Sequence, residues 1–179
     1  MELYYKSVGR GASFLLNVPP DRRGLIHEAD VASLSTFGKR MEATFEVNLI
    51  KGLKLKAANV RKNLKQFSEA QLIDGRSDTY WATDDGVLNS ELSVDGTRNI
   101  TFNVIRLREC IALGQRIEAF GIDTWVDGKW QEIAAGTSVG SCRIVRLAAP
   151  LSACTLRLRI VRSSAPIALS ELGFYLEQG

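Results

Sequence analysis

The stretch Asp74-Gly75-Arg76-Ser77-Asp78-Thr79-Tyr80-Trp81 is where residue types and spacing come nearest to chemistry. An acidic residue before Gly, a hydroxyl further on and then two aromatics read as a loop that turns sharply and enters a core. Gly75 permits backbone angles that other residues resist. Asp74 and Thr79 supply oxygens that can face back into the turn, which is what a hard cation such as Ca²⁺ requires. The alternative is that Asp74 caps its own turn.

Other chemistries find less support. Asp21, Glu28 and Asp30 stand in turn and helix-start positions, where acids suit the positive end of the helix dipole. His27 is the single histidine, and it lacks the partners of a metal ligand or general base. No Cys–His or Ser–His–Asp set assembles. Gly9-Arg10-Gly11 precedes an apolar run instead of joining a strand to a helix, as a phosphate loop must. Trp81 and Trp130 read as core aromatics or as sugar platforms. Trp125 stands just before Val126-Asp127-Gly128, close to a hairpin tip, and is the tryptophan least expected in a core.

The elements that must position these groups fall into two patterns. Ser13-Phe14-Leu15-Leu16-Asn17-Val18 is a short apolar run that predicts a buried strand. Pro19-Pro20-Asp21-Arg22-Arg23-Gly24 breaks it with turn chemistry. Val31, Leu34, Phe37 and Met41 then follow helical spacing. One strand and one helix bury each other's apolar faces poorly, so this region is expected to belong to something larger. From about residue 46 the pattern becomes β. Ile100 to Val104, part of Ile117 to Ile122, and Thr155 to Ile160 alternate with period two. Asp95-Gly96, Asp127-Gly128, Gly136, Gly140 and Ala149-Pro150 give turn signals between them. Short strands at this spacing argue a sandwich or barrel. Residues 57–65 read as a loop with a short helical turn.

The chain has 179 residues, 45% hydrophobic and 24% charged, with 23 basic and 20 acidic residues giving a net charge of +3. That is an ordinary globular composition, enough for one domain plus an appendage. Arginines alternate with apolar residues inside strand-like runs and lack interleaved stacking aromatics, which argues a solvated sheet face and no nucleic-acid partner. No apolar run is long enough to span a membrane. The start lacks the apolar core of a signal peptide. Cys110, Cys142 and Cys154 are an odd set in apolar contexts and are expected as buried free thiols.

Several separated motifs carry a resemblance. In order they are Leu72-Ile73-Asp74-Gly75, Thr79-Tyr80-Trp81, Ile100 to Ile105, Arg108 to Ile111, Gly114 to Ile117, Gly128-Lys129-Trp130-Gln131-Glu132-Ile133 and Ile167 to Tyr175. Residues 50–177 closely resemble the discoidin-like, or coagulation-factor type C, sandwich, a group that includes carbohydrate-binding module family 32. The resemblance implies a mainly β fold, an eight-stranded antiparallel jelly roll with loops clustered at each end. It also implies one structural Ca²⁺, at positions matching Asp74, Thr79 and Glu171, with carbonyls such as that of Ser77 completing the shell. The competing reading pairs Glu171 with an arginine. For Trp81 and Trp130 the resemblance implies the core. Members place sugar-binding groups in variable loops. Trp125, Asp84, Asp85, Asn89, Arg98 and Asn99 are the candidates here, and ordinary solvated loop residues explain them equally well.

Residues 4–26, with Gly9-Arg10-Gly11 leading into Leu15-Leu16-Asn17-Val18-Pro19-Pro20, resemble the end of the catalytic barrel of family 29 α-L-fucosidases. There the last barrel strand is followed by a closing helix, matched here near residues 28–43. The resemblance implies a division at about residue 45: a strand-plus-helix remnant of a β/α barrel in 1–45, and the sandwich in 46–179. That family cleaves with a carboxylate nucleophile and a carboxylic acid/base. Both precede the last strand, so neither maps onto this chain, and no catalytic residue is assigned. The expectation is an accessory region of an α-L-fucosidase-like glycosidase, binding a fucosylated or galactosylated glycan or bracing the missing barrel. The alternatives are a standalone carbohydrate-binding module and, behind it, a protein- or lipid-binding discoidin-like domain. Members of the family are often secreted or periplasmic.

Overall fold

The computed structural model describes residues 1–177. After a short helix α1 (Glu2–Lys6) comes a longer one, α2 (Glu28–Phe45). Seven strands follow: β1 (Lys54–Ala57), β2 (Trp81–Ala82), β3 (Ser90–Glu109), β4 (Ile117–Val126), β5 (Lys129–Gly136), β6 (Arg143–Ser163) and β7 (Ala168–Tyr175). The hydrogen-bonded order is β2-β7-β3-β6-β4-β5, with β1 on the first part of β3. Every pairing is antiparallel.

β3 and β6 organise the molecule because each is long enough to serve two parts of the sheet. Leu92 to Asp95 pairs with both β1 and β6, and Val104 to Glu109 pairs with β7. Two register breaks separate these parts. From Asp95↔Thr155 to Ile100↔Ala153, β3 advances further than β6; from Phe102↔Leu151 to Val104↔Arg146, β6 advances further. Such bulges bend a strand pair and let it turn across a core. The Asp95-Gly96 and Ala149-Pro150 signals, expected as turns between strands, therefore lie inside β3 and β6. Gly96 is needed there because a Cβ would collide with the Cys154 carbonyl oxygen. Asp127-Gly128 is a true hairpin turn joining β4 to β5, with φ of 49° and 77°, as a two-residue hairpin with that sequence requires.

The folded-over sheet encloses one core, consistent with a β-sandwich. Leu92, Phe102, Leu107, Ile122, Leu158 and Leu172 are among its buried residues. Phe102 and Phe174 meet edge to face at 4.8 Å. Trp81 is fully buried, and its indole N–H donates to the Asn59 carbonyl at 2.9 Å, which satisfies its one polar atom. Seven strands form among the described residues, one fewer than the family resemblance implied.

α2 starts as its residues dictate. His27 is the N-cap, its Nδ1 accepting from the Ala29 N–H at 3.2 Å, and Glu28 and Asp30 fill the first turn, acids at the positive end of the dipole. Arg23 bridges Asp21 and Glu28 in an exposed ion chain. Asp21, His27, Glu28 and Asp30 are thus occupied in the turn and first turn that start this helix. Leu34, Phe37 and Met41 are half-buried, while Val31 is exposed.

The expected strand at 13–18 is absent. The segment is irregular, Leu15 is 93% exposed, and the nearest pairing is an isolated bridge between Pro20 and Ile26. A strand exists only where neighbouring backbone groups complete its hydrogen bonds, and no described strand lies beside this one. The N-terminal region nevertheless packs on the sheet. Tyr5 joins Val104, Cys142, Ile144 and Tyr175 in a second apolar cluster, and Phe45 meets the Tyr175 ring at 5.1 Å. The Glu177 carboxylate, only 1% exposed, is shared by Arg40 of α2 and Arg146 of β6, each at 3.0 Å.

The thiols are free. Cys110 and Cys142 are buried as expected, but Cys154 is exposed. It sits at the register break of β6, where its Sγ donates to the Gly96 carbonyl.

Candidate functional site

At one end of the molecule, loops far apart in sequence enclose an open cleft of about 390 Å³. Arg61, Phe67, Tyr80, Asp85, Leu113 and Arg116 contribute side chains, and Ala165-Pro166-Ile167 closes one side. That volume suits a small polar ligand such as a sugar unit. Phe67 and Tyr80 stand at 5.5 Å with their rings tilted by 39°. They form an aromatic wall with both rings half-buried.

The geometry is held from beneath. Asn59 and Asp84 clamp two loops reciprocally: the Asn59 side-chain amide donates to Asp84 at 3.0 Å, and the Asp84 N–H donates to Asn59 Oδ1 at 2.8 Å. Asp84 Oδ1 also accepts from the Lys62 N–H at 2.7 Å. These bonds from Lys62 and Asn59 hold its carboxyl below the usual range. They also keep Lys62 and Asn63 at φ of 50° and 53°, a left-handed conformation that persists in such residues only where the surroundings enforce it. The turn so fixed presents Arg61, whose guanidinium grips Asp85 through two bonds of 2.8 and 3.1 Å.

Arg116 is fixed by a different device. Glu109 is 3% exposed, and its carboxylate accepts from the backbone N–H groups of Arg116, Ile117 and Gly140 at 2.7, 2.9 and 2.6 Å. The Arg116 guanidinium then donates to the carbonyls of Leu113 and Pro166 at 3.2 and 2.7 Å. It is half-buried.

Of the six sugar-site candidates only Asp85 lines this cleft. Asp84 serves the loop clamp. Asn89 lines a separate shallow depression with Val87, Glu91, Arg159 and Val161. Arg98 and Asn99 are exposed at the register break of β3. Trp125 is 48% exposed beside the β4–β5 hairpin tip, as expected. Trp130, expected in the core, is half-buried; it meets the edge of Trp125 at 5.1 Å and carries the Arg157 guanidinium over its face at 4.4 Å. β5 is an edge strand, so its outward positions have no layer above them. Phe67, Tyr80, Arg61 and Arg116 carried no local motif that would have set them together. The mixed signal of Tyr80 beside a buried tryptophan was the nearest clue.

The cation candidates are divided between two settings. Asp74 accepts from the Thr79 hydroxyl at 2.6 Å and from the Arg76 N–H at 2.8 Å, and Ser77 is exposed in the same turn. Glu171 is occupied elsewhere: it accepts from Arg106 at 2.6 Å and from the Tyr175 hydroxyl at 3.0 Å, with Arg108 at 3.4 Å. Two guanidiniums beside a carboxylate oppose a divalent cation there. Among the described residues no group of three or more His, Cys, Asp or Glu is arranged to hold a metal. The four-residue set does not fit calcium in this arrangement, because its second carboxylate is already neutralised.

The relatives and solved structures that match nearly the whole chain at 30% identity or more are α-L-fucosidases. α-L-Fucosidase 1 of Arabidopsis thaliana is 32% identical across 99% of this chain, and a protein of Oryza sativa subsp. japonica assigned as α-L-fucosidase 1 is 36% identical across 80%. A solved structure assigned as an α-L-fucosidase of Bacteroides thetaiotaomicron superposes with a TM-score of 0.93 at 35% identity over 99% of this chain. The homologues of this chain are α-L-fucosidases. A family 29 fucosidase of Ruminococcus gnavus, solved with fucose, gives a TM-score of 0.92 at 30% identity over 99% of this chain. The chain spans only 28–39% of the length of these fucosidases. A chitosan-binding module from Paenibacillus sp. IK-5, 19% identical, shares the fold alone: a TM-score of 0.61 over 72% of this chain and 97% of that module. No protein-family model matches the chain.

Proposed function

We propose that this chain is the accessory C-terminal region of an α-L-fucosidase-like glycoside hydrolase. In this reading residues 46–179 form a discoidin-like module that binds a glycan, and residues 1–45 belong with the catalytic barrel. The observation that carries the proposal is the pattern of coverage. α-L-Fucosidases match nearly the whole chain, while the chain accounts for little more than a third of them. The Phe67–Tyr80 wall with Arg61, Asp85 and Arg116 supplies what sugar recognition uses: an apolar ring face and a few fixed donors and acceptors.

The N-terminal face supports the second part of the reading. Leu3, Leu15, Leu16, Leu25, Ile26 and Val31 are exposed together in one region of the sequence. A groove of about 540 Å³ runs between α1, residues 14–19 and α2, lined by Leu3, Tyr4, Phe14, Leu16, Leu34 and Phe37. Such a surface marks a contact site. We assign its occupant as the barrel portion of a full-length fucosidase-like enzyme, beside which Leu15 to Val18 gains its missing strand neighbours.

Calorimetric titration of the chain with fucosides and galactosides tests the recognition role. Saturable binding that is lost in Tyr80→Ala supports it. No binding to any glycan by wild type removes it and leaves a purely bracing role.

A further inference from the structure

The cleft carries a charge imbalance. Its lining holds two guanidiniums, Arg61 and Arg116, against one carboxylate, Asp85. Asp85 is committed to Arg61 by a two-pronged ion pair. Arg116 meets only the carbonyls of Leu113 and Pro166, and among the described residues no carboxylate lies in ion-pair distance of it. Carbonyls orient a guanidinium but do not neutralise it. A half-buried, uncompensated arginine favours an anion that brings oxygens to its free N–H groups. The Tyr80 hydroxyl makes no hydrogen bond among the described residues and is a further donor in the same cleft.

We propose that this cleft selects a sugar carrying an anionic substituent, a uronate carboxylate or a sulfate ester, with Arg116 as the counter-charge and the Phe67–Tyr80 wall against the ring. The inference rests on the reading of the cleft as a glycan site and names the class of glycan it takes. Glu109 is a positioning residue for it, since its carboxylate fixes the backbone that aims Arg116.

Titration of the full chain with methyl β-D-glucuronide and galactose 6-sulfate, against methyl α-L-fucoside, methyl β-D-galactoside and inorganic sulfate, provides the test. At least one anionic sugar is expected to bind about tenfold or more tighter than either neutral glycoside, the size of one charge-assisted bond. The glucuronide and sulfate arms show which anion is read. Arg116→Gln removes that preference, Arg116→Lys keeps part of it, and added salt weakens it. Neutral glycosides binding as tightly as the anionic ones would overturn the inference while leaving the glycan reading intact. Inorganic sulfate binding as tightly as the sulfated sugar also overturns it. If no sugar binds, both readings fall. Because Arg116 braces its loop, thermal unfolding of Arg116→Gln is measured alongside. Where that variant is unstable, the wild-type ratio of anionic to neutral affinity decides alone.

Discussion

Single carboxylates hold this molecule together in ways that substitution can expose. Glu109 has no charged partner, yet it satisfies three backbone donors that have nothing else to bond. Glu109→Ala leaves them buried and unpaired, and a loss of about 3 kcal/mol or more is expected in urea unfolding. Asp123 behaves differently. Burial alone would push its carboxyl up, but hydrogen bonds from Arg159 and Arg157 outweigh that and hold it below its ordinary value. A carboxylate depressed in the folded state stabilises above the unfolded value of about 3.9, and that contribution is lost as pH falls through the folded value. Stability measured from pH 5 downward should therefore fall less steeply in Asp123→Asn than in wild type; parallel slopes would count against this ion cluster. At this scale the sequence was partly legible. The free thiols Cys110 and Cys142 and the Asp127-Gly128 turn follow from residue type, whereas residue type alone did not separate the buried Trp81 from the half-buried Trp130. The cleft did not, because Arg61, Phe67, Tyr80 and Arg116 come from separate loops, and only the fold brings them to one place.

Among the elements, the period-two runs predicted β3, β4 and β6 correctly because one face of each meets the core. What alternation could not show is that β3 and β6 continue through Gly96 and Pro150. The bulges there carry turn residues for another reason, which is to bend a continuous strand pair. The apolar run at 13–18 failed as a strand because sequence reports a tendency to pair, not the presence of a partner. α2 formed as expected because its cap and acids are local. Its attachment depends on the buried Glu177, shared between Arg40 and Arg146. Glu177→Gln should loosen α2 while sparing the sheet. Hydrogen exchange is expected to speed up through residues 28–45 with little change in β3 or β6, and uniform acceleration of both would show that the clamp holds the whole fold.

For the whole molecule, two surfaces of different character stand out among the described residues. One end presents a cleft with aromatic and charged groups; the N-terminal face presents apolar side chains that a solvent-exposed surface does not need. A fucosidase-like enzyme built with this region would use the first to hold glycan and the second to seat its barrel. The proposed division of labour predicts that recognition is retained by this chain and bond cleavage is not. The measurement that tests it most directly is incubation of the purified chain with an aryl α-L-fucoside. Release of the aryl group at the uncatalysed rate is the predicted result. Release that scales with the concentration of the chain would contradict the account.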